Sequence, residues 1–264
     1  MKTKLIILLC SFLFLFAGKT VAQTNTSSLS NLNNLSDEAL QLTKNGRYAE
    51  AKQLLEKFSK EFTEITLSKN LLTMDELRIL TVTHDEALQS LTKASVQAED
   101  KIDAVTTFRL VIDALNSKYQ PMWTEMREPV MTSFAEVKKA AKKGDSQTYN
   151  LKLNDFLKEY SMIQPSLKVD IPTEQIQKLD AEVAFIDQYR SNILNDKTHK
   201  NKELNALQDN LQHVFDQMSE DETDPSLWWV IISTGSIIIL TLSYVGWRKY
   251  KGQKEDKQQI GHND

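Results

Sequence analysis

The side chains that carry most enzymatic chemistry are few and scattered in this chain. Its histidines are His84, His199, His213 and His262, and none has a partner at a metal-ligand spacing such as His-Glu-x-x-His. The single cysteine, Cys10, lies in an apolar N-terminal run with no small residue before it (Leu8-Leu9-Cys10), which argues against a lipidated cysteine. With that run removed, no thiol is left for a disulfide, a Cys-zinc site or a nucleophile. A phosphate-cradling loop needs clustered glycines, yet Gly46 and Gly144 are the only glycines between the apolar segments at the two ends. No Gly-x-Ser-x-Gly elbow occurs. Carboxylates are plentiful, so hydrolysis by two acids stays open on composition, but no pair stands out from ordinary solvated helix charge. No catalytic residue, metal site or cofactor is therefore expected.

Two residues remain conspicuous. Arg109 sits in the apolar segment Val105–Leu115, with Asp113 one turn on as an i,i+4 partner. Trp123 stands in the mid-chain corner Gln120-Pro121-Met122-Trp123. Each has a structural reading, an ion pair and a wedge between halves, and a second reading as a partner-binding residue.

The elements that position these residues begin at the chain's ends. Leu227–Trp247 is free of formal charge, and a helix of that length spans roughly 30 Å, the thickness of a bilayer's hydrocarbon core. Trp228 and Trp229 flank it on one side and Tyr244 and Trp247 on the other, where amphipathic rings favour the membrane interface. Arg248, Lys249, Lys251, Lys254 and Lys257 follow, whereas Glu220, Asp221, Glu222 and Asp224 precede. Positive charge stays cytoplasmic, so residues 248–264 are expected inside and the bulk of the chain outside. At the other end Lys2 and Lys4 precede the apolar run Leu5–Ala17 and the small-x-small site Thr20-Val21-Ala22. This reads as an export signal over residues 1–22, with an uncleaved anchor as the alternative that gives the same sidedness. Between the two ends lie 24 of the 32 basic and 33 of the 36 acidic residues, a net charge of −9. That excess argues against nucleic acid and anionic polymers as partners.

Residues 23–34, rich in Asn, Ser and Thr, read as a flexible leader. Helical periodicity then fills the chain. A first helix covers Leu35–Lys44, with Ser36 as its N-cap. Ala51, Leu54, Leu55, Phe58, Phe62 and Ile65 line the second, and Leu77, Leu80, His84, Leu88 and Leu91 the third, behind a Thr73/Glu76 capping box. A histidine on that stripe reads as a hydrogen-bonded core residue. The fourth helix carries Ile102, Val105, Phe108, Ile112, Leu115 and Tyr119. The fifth runs from Met122 to Ala141, kinked or restarted near Glu128 by Pro129. The sixth shows Tyr149, Leu153, Phe156, Tyr160 and Ile163, and Gln164–Pro172, with two prolines, reads as the longest internal connection. Ile176 to Ile193 line a seventh helix and Leu204 to Met218 an eighth. The expected fold is all-α: a bundle of about eight helices plus one membrane helix, with an acidic linker over 220–226.

An offset of 98 residues brings Gly46, Leu55, Phe58 and Ile65 onto Gly144, Leu153, Phe156 and Ile163. An offset of 99 brings Leu80, Phe108 and Ile112 onto Leu179, Leu207 and Leu211. Two tandem four-helix units, 35–119 and 120–219, follow as the expected organisation. Gly46-Arg-Tyr48-Ala-Glu50-Ala51 has the form of a tetratricopeptide-type turn, in which the glycine ends one helix while tyrosine and alanine let the next pack closely. One copy makes a TPR-like hairpin rather than an array. Gly46, Tyr48 and Gly144 are thus structural turn residues.

The segments LTKNGRYAEAKQLLEKFSKEF (42–62), TTFRLVIDALNSKYQPMW (106–123) and LNDFLKEYSMIQPSL (153–167), with the export signal, single span and basic tail, resemble the YpjB-type sporulation protein family of endospore-forming bacteria. The resemblance implies a membrane protein associated with sporulation and brings no catalytic residues. The expected role is a protein-interaction or scaffolding module outside the cytoplasmic membrane. The alternatives are a ligand sensor acting through a membrane partner and a carboxylate-dependent envelope enzyme.

Overall fold

The computed structural model describes residues 26–68, 72–117, 120–195, 197–219 and 225–260. The export signal with Cys10, Tyr119, residues 220–224 of the acidic linker and His262 lie outside the described residues, as do the side chains of Ile65, His199 and Trp228. Everything regular among the described residues is helical. In chain order the helices are α1 Thr26–Lys44, α2 Tyr48–Ser68, α3 Met74–Thr92, α4 Ala98–Asn116, a 3-10 turn Met122–Met126, α5 Arg127–Lys143, α6 Ser146–Asp170, α7 Thr173–Gln188, α8 Arg190–Asn195, α9 Lys197–Ser219 and α10 Pro225–Ile260.

Burial organises the first unit around α4. Phe108 to Ala114 are buried without interruption, which a helix reaches only when it is surrounded. Helices α1, α3 and α6 pack around it. Leu32, Leu35, Ala39 and Leu40 of α1, Leu55 and Phe58 of α2, and Leu80 and Ala87 of α3 join Phe108 and Ile112 in one core. In the later half, Phe134 of α5 and Phe156 of α6 meet with ring centroids 4.8 Å apart.

Helix starts repeat with the offset read in the sequence: Tyr48 and Ser146 are 98 apart, Met74 and Thr173 are 99 apart, and so are Ala98 and Lys197. Matched positions share burial, as Leu55/Leu153, Phe58/Phe156, Leu80/Leu179 and Phe108/Leu207 are all at most 2% exposed. The two halves nonetheless form one compact unit up to Phe215, because α6 of the second half packs along α4 of the first.

Four local expectations are corrected. The leader is helical from Thr26, and Ser36 is no N-cap: it is buried inside α1 and donates to the Asn33 carbonyl at 2.7 Å. The spacing of Leu32, Leu35, Ala39 and Leu40 along one face drives this, because packing on the core outweighs the weak helix propensity of Asn and Ser. The connection expected over Gln164–Pro172 is mostly helix: α6 runs through Pro165 to Asp170. Burial of Ile163, Ser166 and Leu167 on both sides of the proline holds the helix together despite a lost backbone bond. The seventh helix divides at Tyr189 into α7 and α8. Pro129, by contrast, lies in the first turn of α5, where its missing N–H has no helical acceptor to serve, so the helix restarts at Arg127.

Gly46 and Gly144 both adopt φ of 73°. At Gly46, Arg47 N–H bonds the Leu42 carbonyl (2.9 Å) and Gly46 N–H the Thr43 carbonyl (3.0 Å), a Schellman ending of α1. A Cβ built on Gly144 meets nothing within 4 Å, so Gly144→Ala tests backbone strain alone. The expected loss is about 1–2 kcal/mol in urea unfolding, with Gly144→Asn milder.

Helix α10 is described by itself. Its stretch Trp229–Lys251 contains an 18-residue window of mean hydropathy 1.8, and the helix is long and apolar enough to cross a membrane. Ile231, Ile237, Leu240 and Val245 are each more than half exposed, a surface suited to lipid rather than water. The helix continues through Arg248 and Lys249 to Ile260, and Lys251 Nζ lies 5.8 Å from the Trp247 ring centroid.

Candidate functional site

The two conspicuous residues meet at one corner but not at the surface. Arg109 is 5% exposed and Trp123 is fully buried, so neither offers a face to a partner, and the partner-binding reading gives way to a structural one. Arg109 reaches Asp113 across one turn of α4 (Nη1 to Oδ1 3.6 Å) and Asp37 of α1 (Nε to Oδ1 3.6 Å). Asp113 also accepts from the Met122 backbone N–H at 2.7 Å, which fixes the start of the 3-10 turn. One residue on, Trp123 Nε1 donates to Asp170 Oδ2 at 2.7 Å, and its ring lies 5.6 Å from Phe215. The chain entering this corner carries strain, since Gln120 has φ of 45° immediately before Pro121. Trp123 therefore ties the corner after α4 to the end of α6 and to α9.

Asp170 bears the cost of that tie. Burial pushes its carboxyl up to about 6; the Trp123 hydrogen bond opposes the shift and the Asp113 charge adds to it. Between about pH 4 and 6 the native state thus keeps a proton that the unfolded chain has lost, so stability falls as pH rises through that window. Asp170→Asn keeps an acceptor for the indole and removes the charge. The variant should match the wild type near pH 4 and exceed it by roughly 2–3 kcal/mol above pH 7 in paired urea titrations. A stability difference that does not change with pH would refute this assignment.

His84 is 8% exposed, with Nε2 2.9 Å from the Leu55 carbonyl and Nδ1 3.5 Å from Asp85 Oδ1. Its ring stacks on Phe58 (5.8 Å) and meets Phe108 edge-on (5.4 Å). The repeat position of His84 is Val183, also buried, which marks the slot as a core position. A cavity of about 330 Å³ opens beside it, lined by Phe58, Phe62 and Leu77 among others. Tyr48 is partly buried, with the Lys101 ammonium of α4 4.4 Å over its ring, and Ala51 is fully buried where α2 leaves the turn.

A trough of about 540 Å³ lies between α3, α4 and α6. Small Ala104 and Thr107 on α4 form its floor, while Ile79 and Val82 on α3 and Met162 and Pro165 on α6 form apolar walls. Val82 is 49% exposed. Pro165 has no N–H, so the Ser161 carbonyl, on the same wall, lacks its usual helical donor. Lys158 at one end bridges Glu99 (2.7 Å) and Asp103 (2.9 Å), and hydrogen bonds to these carboxylates raise its pKa. Lys168 at the other end faces Asp180 at 3.5 Å, and Asp180 also accepts from Tyr160 Oη and Gln164 Nε2, each at 2.6 Å. No cluster of three or more potential metal ligands occurs among the described residues.

None of the trough residues was a candidate site residue in the sequence, where Gln164 and Pro165 read only as part of a connection. Glu99 and Asp103, one turn apart on α4, become a clamp only when α6 brings Lys158 from 55 positions beyond Asp103.

No solved structure matches this chain. A Bacillus subtilis (strain 168) protein named "Uncharacterized protein YpjB" is 37% identical over 256 residues, covering 96% of each chain. The family model described as Sporulation protein YpjB (SpoYpjB) matches residues 29–259. With a match across nearly all of the helical body and its apolar C-terminal helix, the chain belongs to the YpjB family of sporulation proteins.

Proposed function

We propose that this is a membrane-tethered docking protein of spore formation, whose helical body binds another protein on the outer side of the cytoplasmic membrane. The observation that carries the reading is the three-helix trough, which is apolar along its walls, charged at its rim and open to solvent. Stacked helical hairpins commonly bind helices or peptides in such grooves. The TPR-like turn at Gly46, Tyr48 and Ala51 agrees with that build. The basic run after Trp247 and the acidic run before Leu227 support the sidedness. In this reading the chain has no catalytic site, cofactor or nucleic-acid partner.

The test uses the tagged full-length protein, crosslinked in sporulating cells and purified from the membrane. The reading expects a specific, reproducible protein partner and a lowered spore yield on deletion. Recovery of none, with sporulation unchanged, would defeat it. The cavity beside His84 favours a second reading, a small-molecule sensor acting through a membrane partner. A ligand that raises the unfolding midpoint of the purified protein, and ceases to do so in Phe62→Ala, would support that alternative.

A further inference from the structure

The trough has a length, a polarity and a backbone requirement that together restrict what fits it. Helices α3 and α4 are joined by the short connection 93–97 and run antiparallel, so Glu86, late in α3, lies level with Asp103, early in α4. Lys158 bridges Glu99 and Asp103, while Asp170 at the end of α6 meets the corner that follows α4, so α6 runs parallel to α4. Glu86, Asp103 and Glu99 therefore gather at one end around Lys158. Arg78 and Lys168 gather at the other. Among the charged residues lining the trough, Glu86 and Asp103 stand with Lys158 at one end, backed by Glu99, and Arg78 and Lys168 stand at the other, so acidic groups outnumber the cation at the first end and only cations line the second. Glu159, next to Lys158 on α6, has its pKa raised by burial first and then by the charge of Asp103, with Lys158 opposing the shift. At the second end the cations have partners outside the trough, Asp75 at 3.7 Å from Arg78 and Asp180 from Lys168. The Arg78 and Asp75 side chains are 78% and 86% exposed, so this pair exchanges at little cost.

From Arg78 to Glu86 is eight residues of α3 and from Lys158 to Lys168 ten residues of α6, which makes the trough roughly 12–15 Å long. An extended peptide lying there would leave its backbone groups to water, since helical walls offer no ladder of partners. A helix satisfies its own backbone, and small residues on the floor let another rod lie close. A helix dipole also prefers its N-terminus toward the acidic end.

We propose that the trough seats an amphipathic helix of another protein, running parallel to α4 and α6, with basic residues in its first turns beside Glu86 and Asp103 and acidic residues in its last turns beside Arg78 and Lys168. Apolar side chains at three- and four-residue steps cover Val82 and Met162, and a polar donor midway meets the Ser161 carbonyl. This inference rests on the docking reading and specifies its occupant.

The experiment places a photo-crosslinking residue at position 82 or at position 151 of the full-length protein in sporulating cells. Val82 is on the trough wall, and Leu151, 58% exposed, is on α6 outside it. The expected result is one discrete hetero-adduct from position 82 and none from 151. Mass spectrometry of the adduct should map it to a helical-period segment with basic residues first and acidic residues last. Arg78→Glu, at a side chain 78% exposed, should cut the adduct at least about tenfold without moving the unfolding midpoint. An adduct at 151 alone removes the trough and leaves the docking reading standing; no adduct at either position counts against both. An adduct between two copies of this chain, or one mapping to a segment of reversed charge order, overturns the inference.

Discussion

Trp123→Ala is expected to lower the unfolding free energy of the helical body by about 4–5 kcal/mol, the largest effect of any single change considered. The side chain is the largest that is fully buried among the described residues. Its removal opens a cavity against Phe215 and withdraws the only indole donor to a carboxylate that burial already disfavours. Domains of this size have total stabilities of roughly 5–15 kcal/mol, so the loss is a large fraction of the total. Trp123→Phe separates the two contributions: it keeps most of the packing, loses the hydrogen bond, and should cost about 2 kcal/mol. Urea unfolding of the full-length protein in detergent measures both. Trp229, 66% exposed on α10, is the control, and its alanine variant should leave the midpoint of the helical body unchanged. Equal effects at the two tryptophans would contradict the wedge role of Trp123.

The second large effect belongs to Arg109. Breaking a buried ion pair by removing one partner typically costs 3–5 kcal/mol, because the other charge stays buried. Asp113 keeps one donor, the Met122 N–H, so Arg109→Met should fall at the lower end, about 3 kcal/mol. Asp113→Asn retains an acceptor for that N–H and relieves the stranded charge. The double variant should therefore be more stable than the sum of the single losses by about 1–2 kcal/mol, a coupling proper to residues in contact. Strict additivity would mean that the 3.6 Å approach of Arg109 to Asp113 contributes nothing.

The helical body was legible where local rules and burial agree. Leu55, Phe58, Leu80, Phe108 and Ile112 lie on stripes at helical spacing, and all are buried. The Thr73/Glu76 box forms both of its bonds, Glu76 N–H to Thr73 Oγ1 at 3.2 Å and Thr73 N–H to Glu76 Oε2 at 2.6 Å. Asp145 caps α6 through the N–H groups of Gln147 and Thr148. Reading failed where a distant surface decided the outcome. Thr26–Asn34 has a loop-like composition, yet Leu32 finds a core to enter. Pro165 is a strong breaker, yet Ile163 and Leu167 are held on either side. The polar sites were the least legible, because their partners come from different helices. Nothing local to Asp170 announces Trp123, 47 residues earlier, and nothing in Glu99 or Asp103 announces Lys158. Arg109 and Asp113, one turn apart, were the exception that a helical wheel can find.

The proposed docking role requires the helical body to lie on the outer side of the cytoplasmic membrane. Cys10 is the only cysteine, so in a Cys10→Ser background single cysteines at Leu151 and Lys251 are unique labels, on the helical body and beyond the apolar stretch respectively. Labelling of intact protoplasts with a membrane-impermeant maleimide should modify position 151 at once and position 251 only after lysis. Rapid labelling at 251 with protection at 151 would put the body in the cytoplasm and contradict the account.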